Sequence, residues 1–172
     1  MTEYIRFVED QRDWIEWRLD WLNDDDVPSD RLTERRIKDN CLSIYKYEND
    51  DQKTRILAAY GAMRNKAGNL DYICIMDNLL LDAGLEIDDT EPGITKDEEV
   101  NKLHSNIVHL SGKKLVQFVS LLLHEGIPDR EFEKQLLLQI NSNIKKGFLP
   151  KKGLSGEVKS RLAFYGLDDV LK

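Results

Sequence analysis

The chain has 172 residues, 41% of them hydrophobic and 33% charged, with a formal net charge of −7, which suits one globular domain or two small ones with enough apolar surface for a core. No apolar run approaches the roughly 18–20 residues that cross a bilayer, and MTEYIRF carries an acid where a secretory signal needs a base. These features predict a soluble, cytoplasmic protein of microbial or phage type and argue against a membrane role.

Cys41 and Cys74 stand alone, without a CxxC neighbour, and read as two buried thiols in a reducing compartment; spacing alone leaves a disulfide between them open. Charge is uneven. Residues 1–100 hold 13 Lys+Arg against 25 Asp+Glu, and residues 101–172 hold 12 against 7. Such asymmetry points to nucleic acid or to an acidic partner.

Residues 3–23 read as a first helix. Ile5, Val8, Ile15, Leu19 and Leu22 form one stripe, and Tyr4, Phe7, Trp14 and Trp21 a second, with Trp17 near its edge. Aromatic core packing accounts for both stripes. The functional alternative makes Trp14, Trp17 and Trp21 part of a protein interface, where tryptophan is enriched. The acidic turn after it, Asp24, Asp25 and Asp26, lacks the D-x-[DN]-x-[DN]-G spacing of a calcium loop and reads as a solvated connection.

A second helix is predicted from Ser29 or Asp30 to about Tyr47, and a third from Asp51 to Asn65, where Ala58, Gly61 and Ala62 would let a neighbouring helix come close. Leu70 to Leu81 is strongly apolar and reads as a fourth helix ending at Gly84. LEIDDTEPGI (85–94) combines four acids with a Pro-Gly turn. The chain reads as one domain, with a weak division between 1–84 and 95–172 at this acidic linker.

Thr95-Lys96-Asp97-Glu98 fits the S/T-x-x-E capping box and would start a helix carrying Val100, Leu103, Ile107 and Leu110. Residues 113–125 form the most apolar segment. A helix that is apolar nearly all round is a buried one, so this is predicted to be the central helix, broken only by a strip of Lys113, Gln117, Ser120 and His124. Asp129 would cap a further helix containing Leu136, Leu137 and Ile140, and Ser155 would cap the last one. Gly84, Gly126, Gly147 and Gly166 each precede an apolar residue at the end of a helical run, the Schellman pattern. The fold expected is therefore all-α, a bundle of about seven or eight helices around 113–125.

Catalytic signatures are absent. Ser111-Gly112-Lys113 lacks the rest of a phosphate-binding loop, and Gly153-Leu154-Ser155-Gly156 is one residue short of a nucleophile elbow. His104, His109 and His124 form no HExxH or similar pair, so no metal site and no cofactor are expected. The functional signal is basic: between Lys134 and Arg161 lie seven basic residues and one acid, Glu157. Lys145, Lys146, Lys151, Lys152, Lys159 and Arg161 are the candidate contacts to phosphates or to an acidic protein face. Phe148 sits among them as a candidate for base stacking, although its place after Gly147 is also explained by helix termination. A solvated loop balancing the acidic half accounts for the same charges.

The reading is a non-enzymatic helical binding module, a small subunit or regulator of a complex, with a protein partner, or nucleic acid held without sequence specificity, at the basic region. The alternative is an inhibitor whose acidic half, with Asp20, Asp24, Asp25, Asp26, Asp88, Asp89 and Glu91, fills a basic groove on a nucleic-acid enzyme.

Overall fold

A computed structural model describes residues 2–8 and 41–171. Among these residues the architecture is mixed α/β, which corrects the all-α expectation. In chain order the elements are β1 (Glu3–Val8), β2 (Leu42–Tyr47), α1 (Asp50–Met63), β3 (Leu70–Met76), α2 (Asp77–Asp82), β4 (Glu86–Asp88), α3 (Glu98–Asn101), β5 (His104–Val108), α4 (Gly112–His124), β6 (Ile127–Glu131), α5 (Glu133–Lys145) and α6 (Gly156–Phe164), then a 3-10 turn, Asp168–Leu171. The six strands form one sheet, ordered β4-β5-β2-β1-β3-β6, whose β1–β3, β2–β5 and β4–β5 ladders run antiparallel. No helix among the described residues is long and apolar enough to cross a membrane.

The helical expectation fails for a physical reason. A strand buried on both faces loses its alternation and reads as a continuous apolar run. In β3, LDYICIM, six of seven residues are buried. In β1 the neighbours Tyr4 and Ile5 are both buried although they face opposite sides of the sheet. The spacing from Ile5 to Val8 suggests a helix, yet in β1 those side chains also point to opposite faces. Helices predicted over 29–47, 70–84 and 95–110 prove to contain β2, β3 and β5. Asp129 lies in β6 rather than at a helix start, and it accepts a hydrogen bond of 2.6 Å from the Tyr72 hydroxyl. The remainder of the first two predicted helices, with Trp14, Trp17, Trp21, Asp24, Asp25 and Asp26, lies outside the described residues.

The chain forms two compact units whose segments alternate along the sequence. The first takes the described residues up to Lys46, Asp71–Glu91 and His104–Asp129. Its core sets Tyr4, Leu42, Ile44, Ile73, Ile75 and Ile107 from one sheet face against Leu115, Phe118, Val119 and Leu122 of α4. Each such large apolar side chain contributes roughly 1.5–3 kcal/mol on burial. Helix α4 occupies the predicted span and Gln117 is exposed as its polar strip requires, but the helix is amphipathic rather than coated all round, since Val116 is exposed as well. The two edge strands resist further pairing, β4 by its three-residue length and its acids Glu86 and Asp88, β6 by Pro128.

The second unit takes Tyr47–Leu70, Pro92–Leu103 and the residues from Arg130 onward, and its helices are α1, α3, α5 and α6. Helix α1 packs on α5 and α3, and α5 packs on α6. The predicted small-residue approach is present: a Cβ on Gly61 would stand 2.9 Å from both methyls of Leu136. Asn49 caps α1 by accepting from the Gln52 amide, and Ser155 caps α6 by accepting from Val158. The cap of α3 is Asp97, not Thr95. Thr95 instead binds the Asn101 side chain three ways: its hydroxyl and backbone amide both donate to Asn101 Oδ1, and its backbone carbonyl accepts from Asn101 Nδ2.

Candidate nucleic-acid interface

The candidate surface is the loop between α5 and α6 together with α6 itself, all within the second unit. Helix α5 ends in the predicted glycine signal. Gly147 takes φ 77°, the Phe148 amide donates to the Asn143 carbonyl at 2.9 Å, and the Gly147 amide to Ile144 at 3.0 Å. Gly84 and Gly166 end α2 and α6 the same way, with φ 67° and 69°. Gly126 is different. Its φ is not positive, and the glycine is required by space, because a Cβ there would overlap the Leu122 carbonyl oxygen.

Leu149 and Leu154 are buried and pin both ends of the loop. Between and beside these anchors, Lys146, Lys151, Lys152 and Lys159 are exposed. None of the four has an ion-pair partner among the described residues. The other two predicted contacts are engaged. Lys145 pairs with Asp169 at 2.9 Å, which holds the Asp169 carboxyl below the usual range. Arg161 binds both carboxylate oxygens of Glu133 and lies over the rings of Phe164 and Tyr165, at 4.8 and 5.3 Å from their centroids. The Arg161 hydrogen bonds lower the Glu133 pKa. Glu133 is in turn anchored at the start of α5, where its amide donates to the Asn69 side chain at 3.0 Å.

Two residues of this surface are missing from the sequence reading. The Cε of Lys96 lies 3.4 Å from where a Gly153 Cβ would stand, so Lys96, itself exposed, adds a cation beside Lys151 and Lys152. Arg55 of α1 lies over the Phe148 ring, 3.9 Å from its centroid, and binds Asp97 through Nε at 2.5 Å and Nη2 at 2.7 Å. No local pattern announces either approach; both depend on which helices pack together. The preference of arginine for aromatic faces and bidentate carboxylates identifies the type of contact but not the partner.

The first unit holds a separate polar group. His104, Ser105 and Asn106 of β5 are buried. His104 Nδ1 is 2.8 Å from the Glu91 carbonyl oxygen and therefore donates to it, while Asn106 donates to the Glu91 carboxylate at 3.3 Å. The Tyr45 ring meets His104 edge-on at 5.3 Å. His109 is exposed, in the left-handed region at φ 53°, and 3.9 Å from Glu86. His124 ends α4 at the surface. Among the described residues no group of three or more His, Cys, Asp or Glu is placed to hold a metal ion. Cys41 and Cys74 are not joined in a disulfide; Cys74 is buried and Cys41 half-buried.

Neither a family model, a curated protein nor a solved structure matches this chain.

Proposed function

We propose that the protein is a binding module that holds nucleic acid by its phosphates, without reading sequence, through Lys146, Lys151, Lys152 and Lys159. The observation that carries this reading is the contrast within one basic segment. Lys145 and Arg161 are engaged by Asp169 and Glu133, whereas the other four cations stand exposed on a loop and helix held by buried Leu149, Leu154 and Val158. Charges that only balanced the acidic half would be expected to find carboxylates. Cations at one surface, left in water, match what a phosphate backbone requires, since contact releases condensed counterions. Lys96 extends the same surface.

The test is fluorescence anisotropy with labelled oligonucleotides from low to moderate salt, on the full chain and on a variant with Lys146, Lys151, Lys152 and Lys159 all changed to Glu. Four phosphate contacts predict a slope of log K against log salt of about −3 to −4. Binding should disappear in the variant. An absence of binding at low salt, or binding indifferent to the charge reversal, overturns the proposal.

A further inference from the structure

We infer that the preferred ligand of this surface is single-stranded nucleic acid, with one unpaired base stacked on the ring of Phe148; the inference rests on the phosphate-binding reading above and goes beyond it in naming the ligand class. The argument begins with what Phe148 is not used for. In a Schellman helix end an apolar residue after the glycine folds back onto the last turn. Here that burial falls to Leu149, which is 3% exposed, while Phe148 remains 39% exposed. Termination of α5 therefore explains the backbone at Phe148 and leaves its ring to be explained.

The ring is held from one side. The Arg55 guanidinium lies 3.9 Å from its centroid, and both donors that Arg55 directs to Asp97 are fixed by a side chain that is only 1% exposed. Asp97 is itself locked as the cap of α3, accepting from the Glu99 and Val100 amides. The backbone beneath the ring is fixed by the Gly147 turn. The guanidinium over the ring, gripped at its edge by the carboxylate, thus forms a pre-ordered platform that gives up little side-chain entropy when a ligand lands on it. No second cation or ring covers Phe148 among the described residues.

The neighbours of the ring select the ligand. Lys146 precedes it by two residues, and Lys151 and Lys152 follow within four. An aromatic face between cations suits a strand whose bases are free to stack while its phosphates meet the lysines, the arrangement typical of single-strand binders. In a duplex the base faces are covered by their neighbours, and the ring would have nothing to take up.

The experiment compares three ligands of equal length: a single strand, a duplex and an abasic single strand that keeps its phosphates. It uses the full chain and Phe148→Leu, which keeps an apolar residue after Gly147 but removes the aromatic face. Circular dichroism checks that the variant folds, and Phe148→Tyr serves as the conservative rescue. The expected result is a loss of about 5- to 150-fold for the single strand in Phe148→Leu, restored in Phe148→Tyr, with duplex and abasic affinities unchanged. Equal affinity of the full chain for single strand and abasic strand, or an unchanged single-strand affinity in Phe148→Leu, overturns the inference while leaving the phosphate reading intact. Failure of all three ligands to bind overturns that reading and this one together.

Discussion

The two units carry charge balances of opposite sign. The described residues of the first carry 4 Lys+Arg against 10 Asp+Glu, and those of the second 14 against 11. Both units bury polar side chains among the described residues: Asp71, His104, Ser105 and Asn106 in the first, Thr95, Asp97, Asn141 and Asn143 in the second. Such groups are stable only when paired, because an unpartnered buried donor or acceptor costs about 1–3 kcal/mol. The second unit buries Asp97 against Arg55 and uses that pair to brace a surface, while several of its cations remain in water. Titration of Tyr4 in the first unit should thus report on stability, and changes to the exposed cations of the second should report on binding. Substitutions in each unit test that contrast.

The largest effect should come from glycine packing, which differs sharply between the units. A Cβ on Gly126 would overlap the backbone carbonyl of Leu122 and stand 2.5 Å from Cγ2 of Ile73. A carbonyl cannot turn aside as a side-chain end can, so Gly126→Ala forces the end of α4 away from β3. The expected loss is about 3 kcal/mol, read as a fall in the urea midpoint. Gly61, inside α1, meets the end of the Leu136 side chain, both methyls at 2.9 Å and Cγ at 3.1 Å. There the strain of about 1–3 kcal/mol is partly offset by the gain of about 1 kcal/mol when alanine replaces a mid-helix glycine. Gly61→Ala should therefore lower the midpoint clearly less than Gly126→Ala, and the reverse order would refute this account of both positions.

The second effect is alkaline. Burial, followed by the charges of Asp77 and Asp89, pushes the Tyr4 hydroxyl up to about 12 against the weaker opposing pull of its hydrogen bond with Ser105. An unfolded tyrosine titrates near 10. Between those values the folded state holds a proton that the unfolded state has lost, so stability is full below about pH 10 and falls as pH rises toward 12. The loss would reach up to about 3 kcal/mol. Tyr4→Phe should flatten the unfolding midpoint between pH 10 and 12. An unaltered alkaline slope in that variant would place the responsible group elsewhere.

What the sequence made legible follows the same division. Helix α1 shows its small-residue face in local spacing, α4 its span, and α6 its serine cap, because helical signals repeat within one turn and need no distant partner. The glycine ends of α2, α5 and α6 are equally local. The sheet was not legible. Its β1 and β3 are buried on both faces, so their apolar residues run together, and register depends on residues as distant as Glu3 and Met76. The overlooked cue was composition: Ile73 and Ile75 with Tyr72 in β3 form a β-branched and aromatic run that favours strand. At the candidate surface, which of the six cations are engaged is not legible, whereas the basic segment itself follows from a simple charge count. Arg55 behind Phe148 does not, because a contact between residues 93 positions apart in the sequence has no local trace.

The smallest of the three effects lies in the second unit. Hydrogen bonds from Arg161, followed by its charge, outweigh partial burial and hold the Glu133 carboxyl below its usual range. A depressed carboxylate contributes stability above its unfolded pKa of about 4.3 and loses that contribution as pH falls through the folded value. Because the pair reaches solvent, salt should weaken it. Glu133→Gln should therefore unfold at a slightly lower urea concentration than the parent at pH 7, and the two should converge below pH 4 or in high salt. Oligonucleotide affinity should change little at either pH 7 salt condition relative to the parent, since the pair positions α6 rather than meeting phosphate. If Glu133→Gln instead bound nucleic acid much more tightly, the freed Arg161 would belong with Lys159 as a phosphate contact, and Glu133 would be the group that restrains it.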